Sequence, residues 1–240
     1  MLDQEPQSRR PAWSLILDLG VFAIFFLVTV LAFSLATLKL VPDLQNSVGT
    51  AVVIQGLMNA VIVAFIVFLV TIVHHRSFKE TIRWNSDQPF NTGWLVCFGV
   101  GLALTVTVMS KFFPETSQTP IEKLLSSAKS LYLFALFGIL VAPICEEIIF
   151  RGFLFNVFEE LTSAKAAIPA TAGLFAMLHA FQLYGNWGAV FLIFAVGCVL
   201  AGIRQRSGSL IPGLIVHTAY NSTLFGMYAI GSLVQGGIKP

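Results

Sequence analysis

Residues 142–155 read APICEEIIFRGFLF, a stretch that sets Glu146, Glu147 and Arg151 among strongly apolar neighbours. The apolar run around them covers 131–158 and exceeds the length of about 20 residues that a membrane-spanning helix needs. A charged side chain near the bilayer centre costs about 2.5–3.5 kcal/mol on insertion scales, so ionisable groups at this depth are candidates for function. The stretch therefore predicts a transmembrane helix that carries part of a functional site.

Six more apolar runs predict an all-α fold, a polytopic transmembrane helical bundle of about seven to eight spans. The seven runs are 13–40, 48–74, 93–112, 131–158, 166–183, 188–203 and 210–233. A break at Gly226 would raise the count to eight. No repeat or low-complexity tract divides the chain, so residues 1–240 are predicted to form a single integral membrane domain with a motif-bearing core at 131–233.

The composition indicates a lipid bilayer as the main partner and excludes nucleic acid. The chain is 56% apolar and 11% charged, whereas soluble domains have about 25% charged residues. Fourteen basic and twelve acidic residues give a net charge of +2, which is too even for a nucleic-acid-binding protein. With seven spans, the basic residues favour a cytoplasmic N-terminus. The short chain is typical of a bacterial protein, so the bacterial cytoplasmic membrane is the expected location.

Two polar stretches between the runs are predicted to lie at the membrane surfaces. Residues 76–91 mix charged side chains with aromatic and aliphatic ones, as interfacial segments do. Residues 114–129 begin polar and become amphipathic, and they are expected on the opposite surface.

Helical spacing separates the two glutamates. Glu147 and Arg151 stand at i and i+4 on one face, so the arginine can neutralise this carboxylate. Glu146 points about 100° away and has no partner on its own helix. A second buried polar group, His179 or His217, is therefore expected to hold it. Pro143 lacks a backbone donor and is expected to kink the helix beside the glutamates.

His217 and Asn221 are also an i,i+4 pair, so one helical face presents an imidazole and a carboxamide together. Two such donors can bind a developing oxyanion, and a carboxylate with an imidazole can activate water as a general base. These groups suit hydrolysis of an amide bond without a serine or cysteine nucleophile. Asp18 stands alone near the start of the first run and is interpreted as a snorkelling or capping group.

Each of these residues also has a structural interpretation. A membrane histidine such as His179 can serve as an interhelical hydrogen-bonding residue, and the Glu147–Arg151 pair can serve packing alone. A shared site is favoured because Glu146, His179, His217 and Asn221 come from three separate apolar runs.

Three motifs in order resemble the CPBP group of intramembrane proteases, which includes the type II CAAX prenyl endopeptidases and Abi-type bacterial relatives linked to bacteriocin processing or immunity. They are EExxxR at 146–151, FxxxH at 175–179 and HxxxN at 217–221, with the turn at 207–210 between the last two. The resemblance covers about 140–222. The part of the chain before about residue 129 carries nothing specific to the family.

The resemblance implies a role for each motif residue. Glu146 and His179 would activate the attacking water, and His217 and Asn221 would stabilise the oxyanion. Glu147 and Arg151 would support the site. The family is often called metalloproteases, and Glu146, His179 and His217 could supply the three protein ligands of a catalytic zinc. The i,i+4 asparagine and the absence of HExxH favour a metal-free glutamate mechanism. Zinc remains the alternative, so the sequence leaves the cofactor undecided.

The predicted function is that of an intramembrane endopeptidase. It would hydrolyse a peptide bond of a membrane-associated protein or peptide, including lipidated CAAX-type substrates. Two alternatives stay open: a proton-coupled membrane carrier that uses Glu146 and the histidines as a relay, and a non-catalytic immunity or scaffold protein that keeps the motifs for packing.

Overall fold

Every regular element in the described part of the chain is a helix. The computed structural model describes residues 10–40, 48–85, 90–114 and 128–234. The eight helices of these ranges are α1 (Ala12–Leu40), α2 (Val48–Phe68, continued by a π-helical turn over Leu69–Val73), α3 (Phe78–Thr81), α4 (Thr92–Ser110), α5 (within 128–161), α6 (Ala164–Ala180), α7 (Trp187–Ser207) and α8 (Ile211–Val234).

The predicted all-α membrane fold is confirmed. Each of the seven apolar runs forms one long helix, and α8 continues unbroken through Gly226. Five helices, α1, α2, α4, α5 and α7, are long and apolar enough to cross a membrane. The other two long helices are not among these five. Helix α6 has only 17 residues, and α8 carries the polar side chains of His217 and Asn221. Most of the predicted surface stretch 114–129 lies outside the described residues.

Helix α5 alternates between α- and π-helical turns. It is α-helical over Ala128–Leu136, π-helical over Phe137–Val141, α-helical over Ala142–Glu146, π-helical over Glu147–Leu154 and α-helical over Phe155–Leu161. The first change of register comes just before Pro143, which has no backbone N–H to donate to the preceding turn. Such π-helical turns occur frequently at functional sites, and here the second one begins at Glu147, directly after Glu146.

Two apolar clusters divide the bundle, and the predicted site lies between them. The first joins α1, α2, α5 and α6 through side chains such as Phe22, Ile66 and Phe153. The second joins α4, α7 and α8 through side chains such as Leu95 and Leu200. Helices within a bundle approach closely where small residues face each other. The chain does this at Gly99, where an added Cβ would lie 2.7 Å from the Cβ of Ala219.

Asp18 is not isolated, contrary to the prediction that it snorkels or caps alone. It is 5% exposed, and its two oxygens accept bonds from Arg10 at 2.6 Å and from Nε2 of His74 at 2.9 Å. Arg10 also reaches Glu160 at 3.3 Å. These contacts tie the start of α1 to the ends of α2 and α5, and they satisfy a carboxylate that lies too deep to reach water on its own.

The stretch after α2, which is predicted to be interfacial, packs onto the bundle. Ser77 caps α3 by accepting a bond from the Glu80 amide. The carbonyl of Thr81 accepts from the side chain of Asn156 on α5. Beyond α3, the carbonyl of Arg83 accepts from the Leu210 amide at 3.0 Å, and other contacts join this stretch to the turn before α8. The predicted surface segment is thus held to the motif-bearing helices by backbone carbonyls.

Candidate active site

His217 lies between the two glutamates. Its Nδ1 is 3.0 Å from Oε1 of Glu147, and its Nε2 is 3.5 Å from Oε2 of Glu146. The Glu147 side chain is fully buried, whereas that of Glu146 is 23% exposed. The carboxylates of two neighbouring residues of α5 therefore contact opposite nitrogens of one imidazole from α8. Of the two carboxylates, only that of Glu146 is partly exposed at the surface of the protein.

Arg151 fixes the buried carboxylate. Its Nη1 donates to Oε1 of Glu147 at 3.1 Å, as the i,i+4 spacing predicted, and its Nη2 donates to the carbonyl of Gly197 at 3.3 Å. The guanidinium also lies 4.6 Å from the ring centroid of Phe175, within the range of a cation–π contact. Because Glu147 and Arg151 neutralise each other, the pair can stay buried inside the apolar bundle.

Helix periodicity gave only part of this arrangement. The glutamates were expected to face directions about 100° apart, with Glu146 held by His179 or His217. In the structure a π-helical segment begins at Glu147, and the width of the imidazole bridges the remaining angle, so one histidine contacts both carboxylates. The partner of Glu146 is therefore His217.

His179 takes a different position. Its Nδ1 lies 2.9 Å from the carbonyl of Phe175 on the same helix, and its ring centroid is 4.6 Å from that of Phe175. Phe175 in turn stands edge-on to His217, with centroids 6.0 Å apart. No hydrogen bond or ion pair joins His179 to Glu146 within the described residues. Their joint action on a water molecule stays a prediction.

Asn221 is one turn beyond His217 on α8. Its Nδ2 donates to the carbonyl of Gly138 on α5 at 2.7 Å. A carboxamide nitrogen carries two hydrogens, so this bond leaves one N–H for another acceptor. The predicted oxyanion role is compatible with this geometry and is not established by it.

The donors do not fit a zinc site formed by Glu146, His179 and His217. Within the described residues, no three His, Cys, Asp or Glu side chains are grouped as metal ligands. Glu146 and His217 contact each other, but within the described residues no hydrogen bond or ion pair joins His179 to either of them, and a His₂Glu site needs both histidines on one ion.

Sequence reasoning missed several residues that support the site. Arg204 follows directly after the apolar run 188–203, where a charged side chain would be expected at the membrane surface, yet it is 1% exposed. It donates to the carbonyl of Arg151 at 3.2 Å and to Oδ1 of Asn156 at 2.8 Å. Gly213 lies so close to Glu147 that an added Cβ would be 3.1 Å from Oε2. The position of Arg204 just after an apolar run was the one available signal, and Gly213 offered none.

The fold and the site together define a class: a polytopic membrane protein with a carboxylate, imidazole and guanidinium cluster inside its helices. Residues 128–223 match the family model described as Type II CAAX prenyl endopeptidase Rce1-like. The matched range contains all six predicted site residues and confirms the resemblance drawn from the motifs. Comparisons with curated proteins and with solved structures found no match.

Proposed function

We propose that this protein is an intramembrane endopeptidase that hydrolyses a peptide bond of a membrane-associated protein or peptide. The observation that carries the proposal is the imidazole of His217 held between a buried carboxylate and an accessible one. The Rce1-like domain supports it, because its family is described by CAAX prenyl endopeptidase activity. Substrates with a lipidated CAAX-type end are the class that this description favours.

In the proposed mechanism Glu147 orients His217. Glu147 is paired with Arg151 and accepts a hydrogen bond from Nδ1–H, which turns Nε2 toward Glu146. A carboxylate that fixes the tautomer and angle of an imidazole performs the same task in hydrolytic triads. Because Glu147 is fully buried, it stays out of contact with substrate and acts through His217.

Glu146 is the proposed general base. Its accessible carboxylate takes a proton from water, with His179 as a second group on that water, and the water oxygen attacks the peptide carbonyl. The mechanism requires His217 to carry a proton on both nitrogens before and after the reaction, so that Nδ1–H stays on Glu147 while Nε2–H, together with the second N–H of Asn221, donates to the oxyanion. The proton held by Glu146 then passes to the departing amine, which completes hydrolysis and returns the carboxylate.

The proposed setting is the bacterial cytoplasmic membrane with the N-terminus in the cytoplasm. Supporting this, the outward faces of the long helices carry exposed apolar side chains such as Ile16, Leu27 and Leu57. Basic side chains gather at the end of the bundle formed by Arg10 and the stretch after α2, as cytoplasmic ends do.

The proposal is tested with the purified chain reconstituted in liposomes. A farnesylated CAAX peptide, the same peptide without the lipid, and a single-span transmembrane peptide are each incubated with it, with and without chelator. Cleavage of at least one peptide, with product ends identified by mass spectrometry, is expected. If a folded preparation cleaves none of them at any enzyme concentration, the protease proposal is wrong. Metal content of the same sample separates a zinc-dependent from a metal-free reaction.

Gly213→Ala is expected to disturb the orientation of His217. A methyl group at position 213 would press on Oε2 of Glu147, and this carboxylate cannot yield freely because Arg151 and His217 hold its other oxygen. Overpacking of this kind costs about 1–3 kcal/mol. We expect a lower melting temperature and slower cleavage.

Gly226→Ala is the matched control on the same helix. An added Cβ at position 226 meets no atom within 4 Å, and alanine in a helix is favoured over glycine by about 0.5–1 kcal/mol. Equal melting temperatures and rates for the two alanine variants would show that Gly213 has no special role.

A further inference from the structure

A proline in α5 leaves one backbone carbonyl without its helical donor. In the π-helical turn over Phe137–Val141, the amide of Ala142 donates to the carbonyl of Phe137, five residues back. In the same register, the carbonyl of Gly138 would accept a hydrogen bond from the amide of residue 143. That residue is Pro143, which has no N–H.

The missing donor comes from another helix. Nδ2 of Asn221 lies 2.7 Å from the Gly138 carbonyl. Inside a membrane an unpaired backbone carbonyl is costly, and prolines are tolerated there when a neighbouring side chain satisfies the freed group. The side chain that replaces the amide of Pro143 is therefore the one that ends the HxxxN motif.

Close packing keeps the two partners together. A Cβ on Gly138 would lie 2.6 Å from the ring of Phe225, which follows Asn221 by one turn of α8. Glycine at position 138 thus permits α8 to approach near enough for the 2.7 Å bond. The carboxamide is held by one N–H, and the plane of the amide then fixes the direction of the other.

We propose that Pro143 and Gly138 are positioning residues for Asn221. The carbonyl freed by Pro143 binds one N–H of the carboxamide, so that the second N–H is held in place for the oxyanion beside His217. This role rests on the proposed endopeptidase function, whereas the bond that it depends on can be tested without any substrate.

The first test restores the backbone donor. Pro143→Ala supplies an N–H that can occupy the Gly138 carbonyl and release Asn221. We expect kcat to fall toward the loss of about 10²–10³-fold seen when an oxyanion donor is removed, with KM unchanged. Pro169→Ala is the control, because Pro169 also lies inside a helix, α6, and should leave kcat near that of the parent.

The second test is a double-substitution cycle on melting temperature. Asn221→Ala alone leaves the Gly138 carbonyl unpaired and should lower the melting temperature. The same substitution made in the Pro143→Ala protein should lower it much less, since the backbone then provides the donor. Melting shifts that simply add would overturn the proposal, and this holds even if the protein cleaves no peptide. Coupled melting shifts with kcat unchanged in Pro143→Ala would overturn the positioning role.

Discussion

Exchange of Glu146 for glutamine is expected to lower the rate of peptide cleavage by about 10²–10⁴-fold, the contribution of a positioned general base. The carboxamide has the shape of the carboxylate but cannot take a proton from water. The side chain is 23% exposed and lies 3.5 Å from Nε2 of His217, so the fold should tolerate the exchange. Single-turnover cleavage in liposomes measures the effect.

Glu159→Gln is the matched control for this variant. Glu159 lies near the end of the same helix, its side chain is 29% exposed, and it faces Arg83 at 3.7 Å. The Glu159→Gln variant should cleave peptide at the parent rate. Parental cleavage by Glu146→Gln would remove Glu146 from the mechanism and leave another group to activate the water.

Loss of Arg151 is expected to give the largest change in stability. Arg151→Met leaves the carboxylate of Glu147 buried without its counter-charge, and breaking a buried ion pair in this way costs about 3–5 kcal/mol. The same change removes the donor to the Gly197 carbonyl and the contact with the Phe175 ring. Unfolding by SDS titration in mixed micelles measures the free-energy difference.

Two further variants show whether charge is the cause. Arg206→Met removes an exposed arginine near the end of α7 and should change stability little. Adding Glu147→Gln to Arg151→Met removes the unpaired charge and should recover part of the loss. If Arg151→Met proves as stable as Arg206→Met, the buried pair does not stabilise the fold in the way argued.

The sequence was sufficient to predict the helices, because the length and apolarity of each run decide whether a segment can span a bilayer. It was also sufficient to predict the ion pair between Glu147 and Arg151, since an i,i+4 pair lies within one helix and does not depend on how the other helices pack. The partner of Glu146 could not be chosen from His179 and His217, because that choice depends on how α6 and α8 pack against α5. The prediction that Asp18 stands alone failed for a related reason: its partner His74 meets it only after α1 and α2 pack.

The roles of Gly138 and Gly213 depend on the positions of backbone atoms, which cannot be read from the identity of the residues. The carbonyl of Gly138 becomes available because a π-helical turn shifts the hydrogen-bond register ahead of Pro143. The proline was recognised, yet the carbonyl that it frees depends on that register. The closeness of Gly213 to Glu147 likewise follows from the packing of α8 and leaves no pattern in the sequence. The chemical roles of His179 and Asn221 stay predictions.

The docking of the interfacial stretch has a consequence for the depth of the site in the bilayer. A continuous series of polar contacts runs from Glu147 through Arg151 to Arg204 and Asn156, and it ends at the carbonyl of Thr81 in α3. Helix α3 belongs to the stretch that the sequence predicts to lie at the membrane surface. The distance between the reacting carboxylates and the water boundary is therefore set by protein contacts and should stay constant in bilayers of different thickness.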